Sequence, residues 1–106
     1  MAISTIPFDR VRARYHASNP DGHWFDKETL RFFGSKLPAT AFDTPAGILF
    51  ISSELDFDRA RRYYNVRQLT DDGDIKTIGR FNDYRTRAEA KAAIVKLSEE
   101  ASHVVD

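Results

Sequence analysis

Residues 61–97, RRYYNVRQLTDDGDIKTIGRFNDYRTRAEAKAAIVKL, decide the fold, because strand, turn, strand and helix follow one another there, each with its own local signal. Asp72-Gly73 between two runs rich in β-formers predicts a two-residue type I′ hairpin turn, which needs positive φ at its central positions. The two strands therefore pair antiparallel. Alternation places Tyr64 and Val66 on one face of the first strand, with Arg61, Tyr63, Asn65 and Arg67 on the other. On the second strand Ile75, Thr77 and Phe81 alternate with Lys76, Ile78 and Arg80. One face then reads as apolar and the other as basic with a tyrosine.

A helix over 87–102 follows, opened by the capping box Thr86-x-x-Glu89, in which hydroxyl and carboxylate each satisfy a backbone N–H. Ala90, Ala93, Ile94, Leu97 and Ala101 recur at spacings of three and four and form one stripe. That stripe is expected to cover Tyr64, Val66, Ile75 and Phe81. Upstream, GILFISS (47–53) is apolar on both faces, as expected of a strand covered twice. The C-terminal helix supplies one cover and the N-terminal residues the other. Pro38 to Ala46, with two prolines, reads as a loop.

Two helices are read at the N-terminus. Phe8, Val11 and Tyr15 give the first, with Arg10, Arg12 and Arg14 on its solvated side, although Ile3 to His16 also fits an alternating strand. In HWFDKETLRFFG, Asp26 is the expected N-cap, Leu30 and Phe33 point inward and Gly34 is the left-handed C-cap. The expectation is an α+β fold made of N-terminal short helices, a three-stranded antiparallel sheet and a C-terminal helix packed on one face. It forms a single domain over 1–106, with a helical layer at 1–37, the sheet at 47–81 and the last helix at 86–102.

The chain has 106 residues, is 42% hydrophobic and 12% aromatic, and carries no cysteine. That composition excludes disorder, a disulfide framework and a thiolate metal site. No run approaches a membrane span and no secretory signal is evident, so a cytoplasmic location is expected. Sixteen basic and sixteen acidic residues cancel, which removes whole-molecule attraction to nucleic acid. Glu54, Asp56 and Asp58 alternate but lack the ligand ladder of a calcium loop, and read as a solvated acidic segment. His16, His23 and His103 stand apart from one another, and no nucleophile elbow, phosphate loop or dinucleotide fingerprint is present. No enzyme, metal or cofactor is expected.

Two resemblances add to this. GHWFDKETLRFFGSKL, GILFISSE, the hairpin and TRAEAKAA together resemble a family of short proteins of unknown function found in bacteriophage genomes and prophages. This implies a mobile-element origin and brings no activity. Separately, Y-x-V-R, a DG turn, G-x-F and T-x-x-E-A resemble the three-stranded sheet and helix of AP2-type and integrase arm-binding DNA-binding domains. That resemblance implies DNA contacts by Arg61, Tyr63, Asn65, Arg67, Lys76 and Arg80. The tryptophan and the basic total of AP2 domains are missing.

The first functional expectation is non-catalytic protein binding to a host or defence protein, in the manner of anti-CRISPR inhibitors. The second is duplex DNA held by the basic face of the sheet.

Overall fold

A computed structural model describes residues 3–103 of the chain, apart from the side chain of His103. The elements run β1 (Ser4–Pro7), α1 (Phe8–Ser18), α2 (Lys27–Phe33), β2 (Thr40–Thr44), β3 (Gly47–Leu55), β4 (Arg62–Leu69), β5 (Ile75–Ile78) and α3 (Arg87–His103). The class is α+β, as expected. The sheet has five strands rather than three, all antiparallel and in chain order.

Both additional strands come from stretches assigned elsewhere. The segment read as a loop over 38–46 holds β2, which pairs with β1 on one side and β3 on the other. Its signal is hidden because TAFDT has only two apolar side chains. At the N-terminus both readings hold in part: Ser4–Pro7 is extended, and the helix starts at Phe8 once Pro7 has fixed an extended backbone before it.

β3 is the central strand, and its alternation divides the core. Phe50 meets Phe8, Val11, Tyr15, Phe25, Ala41 and Leu69 on the N-terminal side. Leu49 and Ile51 meet Val66, Ala90 and Ile94 on the other, under α3. The expected double cover is present. The first core is aromatic: Phe8 lies edge-on to Phe25 and Phe50, with ring centroids 5.8 and 4.9 Å apart. This is the T-shaped geometry that ring quadrupoles favour.

α3 is capped as its sequence predicts. Glu89 N–H donates to Thr86 Oγ1 at 3.1 Å, and Thr86 N–H donates back to Glu89 Oε1 at 3.1 Å. Its alanine stripe covers Tyr64 and Val66 as expected, but Ile78 takes the place expected of Ile75 and Phe81.

The cause is a one-residue slip in the hairpin. Leu69 pairs with Ile75, and beyond them Thr70 N–H bonds Asp74 O at 2.8 Å while Gly73 N–H bonds Thr70 O at 2.9 Å. The connection is therefore a three-residue loop ending in a left-handed Gly73, φ 87°, rather than a two-residue turn. Moving the register by one residue exchanges the faces of β5. Ile75 then joins the N-terminal core, and Lys76 lies on the face opposite Arg67.

The N-terminal layer also reaches the hairpin tip. The Arg14 guanidinium donates to Asp71 O, and Asn19 Nδ2 donates to Gly73 O at 3.2 Å.

Candidate functional site

Along the N-terminal face of β3, the side chains after Phe50 become polar: Ser52 and then Glu54, both fully buried. Phe50 pairs with Arg67, Ser52 with Asn65 and Glu54 with Tyr63 across the ladder, so Arg67 meets Ser52 on the diagonal and its long side chain extends past it to Glu54. Arg67 Nε donates to Ser52 Oγ at 3.0 Å, one Nη donates to Thr77 Oγ1, and Nη2 lies 3.2 Å from Glu54 Oε1. The same Glu54 oxygen also accepts from Ser52 Oγ at 3.2 Å and from Asn65 Nδ2.

Burial pushes the Arg67 guanidinium below the ordinary arginine value, and the Glu54 carboxylate opposes that shift. Glu54 Oε2 is buried and has no hydrogen-bond partner among the described residues. All the donors meet one oxygen of the carboxylate and leave the other open. A buried acceptor left unpaired costs about 1–3 kcal/mol.

Two local turns close the site. After β5 the chain loops out through left-handed Gly79 and Asn82, φ 78° and 59°, and returns to the edge of β4 where Tyr84 pairs antiparallel with Tyr64. Asn65 anchors that loop: its Nδ2 donates to Asn82 Oδ1 at 2.9 Å and its Oδ1 accepts from Asn82 N–H. The loop sets Phe81 over Arg67, with the guanidinium carbon 5.5 Å from the ring centroid and Trp24 at 5.4 Å.

On the opposite rim, α2 ends at left-handed Gly34, as its sequence predicts. Lys36, ahead of β2, then pairs with Ser53 through two hydrogen bonds of 2.8 and 3.1 Å, beside the part of β3 that β2 does not reach. Arg62 donates to Gly34 O at 2.7 Å and fastens the helix end to the sheet. The expected Asp26 cap bond does not form; Asp26 instead accepts His23 Nδ1 at 2.6 Å. That hydrogen bond raises the His23 pKa and holds the imidazole out in solvent.

Between these rims lies a cavity of about 200 Å³, lined by Trp24, Leu30, Phe33, Glu54, Arg67 and Phe81 among others. Phe33 and Phe81 also form one side of a more open groove of about 650 Å³, completed by Phe32, Leu55 and Phe57 with Asp56 and Arg59. Phe32, Phe33, Phe57 and Phe81 are the exposed large apolar side chains among the described residues. Four exposed phenylalanines here reverse the expectation that Phe33 faces inward. α2 buries none of its residues completely.

The six residues expected to form a basic face are dispersed. Tyr63, Asn65 and Arg67 share the N-terminal side of β4, but Asn65 and Arg67 are buried. They fasten the site from within and do not project from an open face. Lys76 lies on the opposite face of the sheet, while Arg61 and Arg80 are exposed on the chain flanking β4 and β5.

Glu54 departs from the expectation of a solvated acidic segment. The signal for it is parity: Glu54 continues the series of Ile48, Phe50 and Ser52, on the face that carries Arg67 next door. Asp56 and Asp58 do remain at the surface, where Asp56 accepts the backbone N–H of Ala60 at 3.0 Å. No three-carboxylate or histidine cluster suited to a metal occurs among the described residues. No helix among them is long and apolar enough to cross a membrane.

Neither a curated protein nor a solved structure matches this chain. A family model described as "Family of unknown function (DUF7447)" matches residues 8–95, from the first residue of α1 to the middle of α3, and the chain belongs to that family.

Proposed function

We propose that this is a non-catalytic binding domain that docks an apolar segment of a partner protein in the phenylalanine groove. The observation that carries the reading is the group of four exposed phenylalanines at one end of the sheet. Contiguous exposed apolar surface of this kind marks interaction sites in small folded domains. The charges lining the groove are Asp56 and Arg59, one of each sign, so the groove suits an uncharged occupant rather than a polyanion. Burial of Arg67 and Asn65, with Lys76 on the other face, supports a protein partner over duplex DNA, since no row of free cations faces outward there. A host or defence protein as the partner, in the cytoplasm, is the reading the phage-family resemblance favours.

Selection of a random displayed peptide library on the immobilised chain tests the surface. Recovered peptides should be rich in apolar residues and should lose binding to Phe57→Ser and Phe81→Ser. Peptides that bind these variants equally, or a library without binders, would overturn the reading. So would a concentration-dependent dimer of the wild-type chain that Phe57→Ser dissociates, because the groove's occupant would then be a second copy. A gel shift with duplex DNA at low salt that Phe57→Ser leaves intact would favour the nucleic-acid reading instead.

A further inference from the structure

Arg59 and Asn82 are the non-glycine residues that hold a left-handed backbone among the described residues, φ 60° and 59°. Asparagine tolerates that conformation, whereas a long side chain such as arginine is disfavoured in it. Its persistence at Arg59 therefore needs a compensating contact. The connection between β3 and β4 supplies the frame. Arg59 N–H donates to Asp56 O at 3.0 Å, and Asp56 Oδ1 accepts the N–H groups of Ala60 and Arg61 at 3.0 and 3.3 Å. From this loop the Arg59 guanidinium reaches out, and Nη1 donates at 3.0 Å to Phe32 O, 27 residues earlier.

That acceptor belongs to the last turn of α2. The closing carbonyls of a helix have no partner within it. Here Ser35 N–H takes Leu30 O and Gly34 N–H takes Arg31 O, at 2.7 and 3.1 Å, and Arg59 takes the next carbonyl. α2 needs such a tie, because it is seven residues long and buries none of them completely, so neither its length nor its burial holds it firmly. Arg62 and Lys36 fasten the chain that follows the helix, at Gly34 O and Ser53. Arg59 fastens the turn that presents Phe32 and Phe33. In the groove these two rings come from α2, Leu55 and Phe57 come from the end of β3 and its loop, and Arg59 bonds one segment to the other.

We propose that Arg59 is a positioning residue of the phenylalanine groove, whose clasp on Phe32 O holds the Phe57 loop against the last turn of α2 and presets the width of the groove. The clasp stands on its own geometry, and its effect on binding rests on the docking reading. A groove set before the partner arrives need not be assembled during binding. The fraction of molecules with the clasp closed then scales the apparent affinity.

The test uses Arg59→Asn in the full chain, a residue suited to the left-handed backbone but too short to reach α2. Its unfolding midpoint should lie at or above that of the wild type. Amide hydrogen exchange at Gly34 and Ser35 should become about three- to tenfold faster, the modest factor that an exposed hydrogen bond from a charged group carries. Peptides selected on the wild-type chain should lose affinity by a similar factor, and Arg59→Lys, which can still donate, should recover part of both losses.

Unchanged exchange at Gly34 and Ser35 would overturn the clasp, because a residue that shapes only its own loop leaves the end of α2 alone. Faster exchange with undiminished peptide affinity would overturn the positioning role. A lower unfolding midpoint in both Arg59→Asn and Arg59→Gly would make Arg59 a general stabilising contact and overturn it as well. If the library yields no binder, faster exchange at Gly34 and Ser35 leaves the clasp standing while the docking reading falls.

Discussion

The two faces of the sheet solve the same packing problem with different chemistry. Under α3, Leu49, Ile51, Val66, Ala90 and Ile94 form an apolar layer in which the helix approaches closely through its alanines. Under the N-terminal layer the core begins as aromatic packing around Phe50 and ends, four residues along β3, in a buried ion pair and its hydrogen-bond network. An apolar face is specified by shape alone. The mixed face is specified by partners, and its stability fails when one of them is removed.

The largest effect should come from breaking that pair. Glu54→Ala leaves Arg67 buried without its counter-charge and should cost about 3–5 kcal/mol in denaturant unfolding. The double variant Glu54→Leu with Arg67→Met should recover most of the loss. If the single and double variants unfold alike, the ion pair is not what distinguishes this face. On the apolar face, Ile94→Ala should cost about 2–5 kcal/mol through lost burial and the cavity left behind, and no second substitution in Glu54 or Arg67 should change that figure. Thr86→Ala, which removes the side-chain cap of α3, should cost about 1 kcal/mol, with the loss confined to the C-terminal face by hydrogen exchange.

The smallest effect is a pH dependence on the mixed face. The Asp26 hydrogen bond raises the His23 pKa in the folded state. The stability this contributes is therefore complete below the ordinary histidine value and is lost as pH rises through the raised folded one. An NMR titration should place the His23 midpoint above that ordinary value, and Asp26→Asn should bring it down. Because the pair sits in solvent, the midpoint should move with little change in the unfolding transition.

How far the sequence could be read follows the same division. The α3 face was legible because its signals are local: a capping box, an alanine stripe and two β-rich runs, each within a dozen residues. On the N-terminal side, Gly34 correctly marked the end of α2. What could not be read there depends on register and pairing over longer distance. The choice between a two-residue and a three-residue loop at Asp71 to Gly73 decides which face Lys76 and Ile75 occupy, and both loops suit a DG sequence. Glu54 and Arg67 each look like surface residues alone, and only the β3–β4 ladder brings them together. β2 escaped notice because its strand character comes from neighbours on both sides rather than from its own five residues.

The rims of the sheet bear on recognition as well. Many small sheets recruit a partner by letting it add a strand, with the unpaired backbone of an edge supplying sequence-blind affinity. Here each outer strand is only four residues long, and β1 ends in a proline that has no N–H to offer. Such short templates leave little main chain to share. The docking proposed above would then rest on side chains, so a partner's own sequence, rather than its readiness to become a strand, would decide whether it binds.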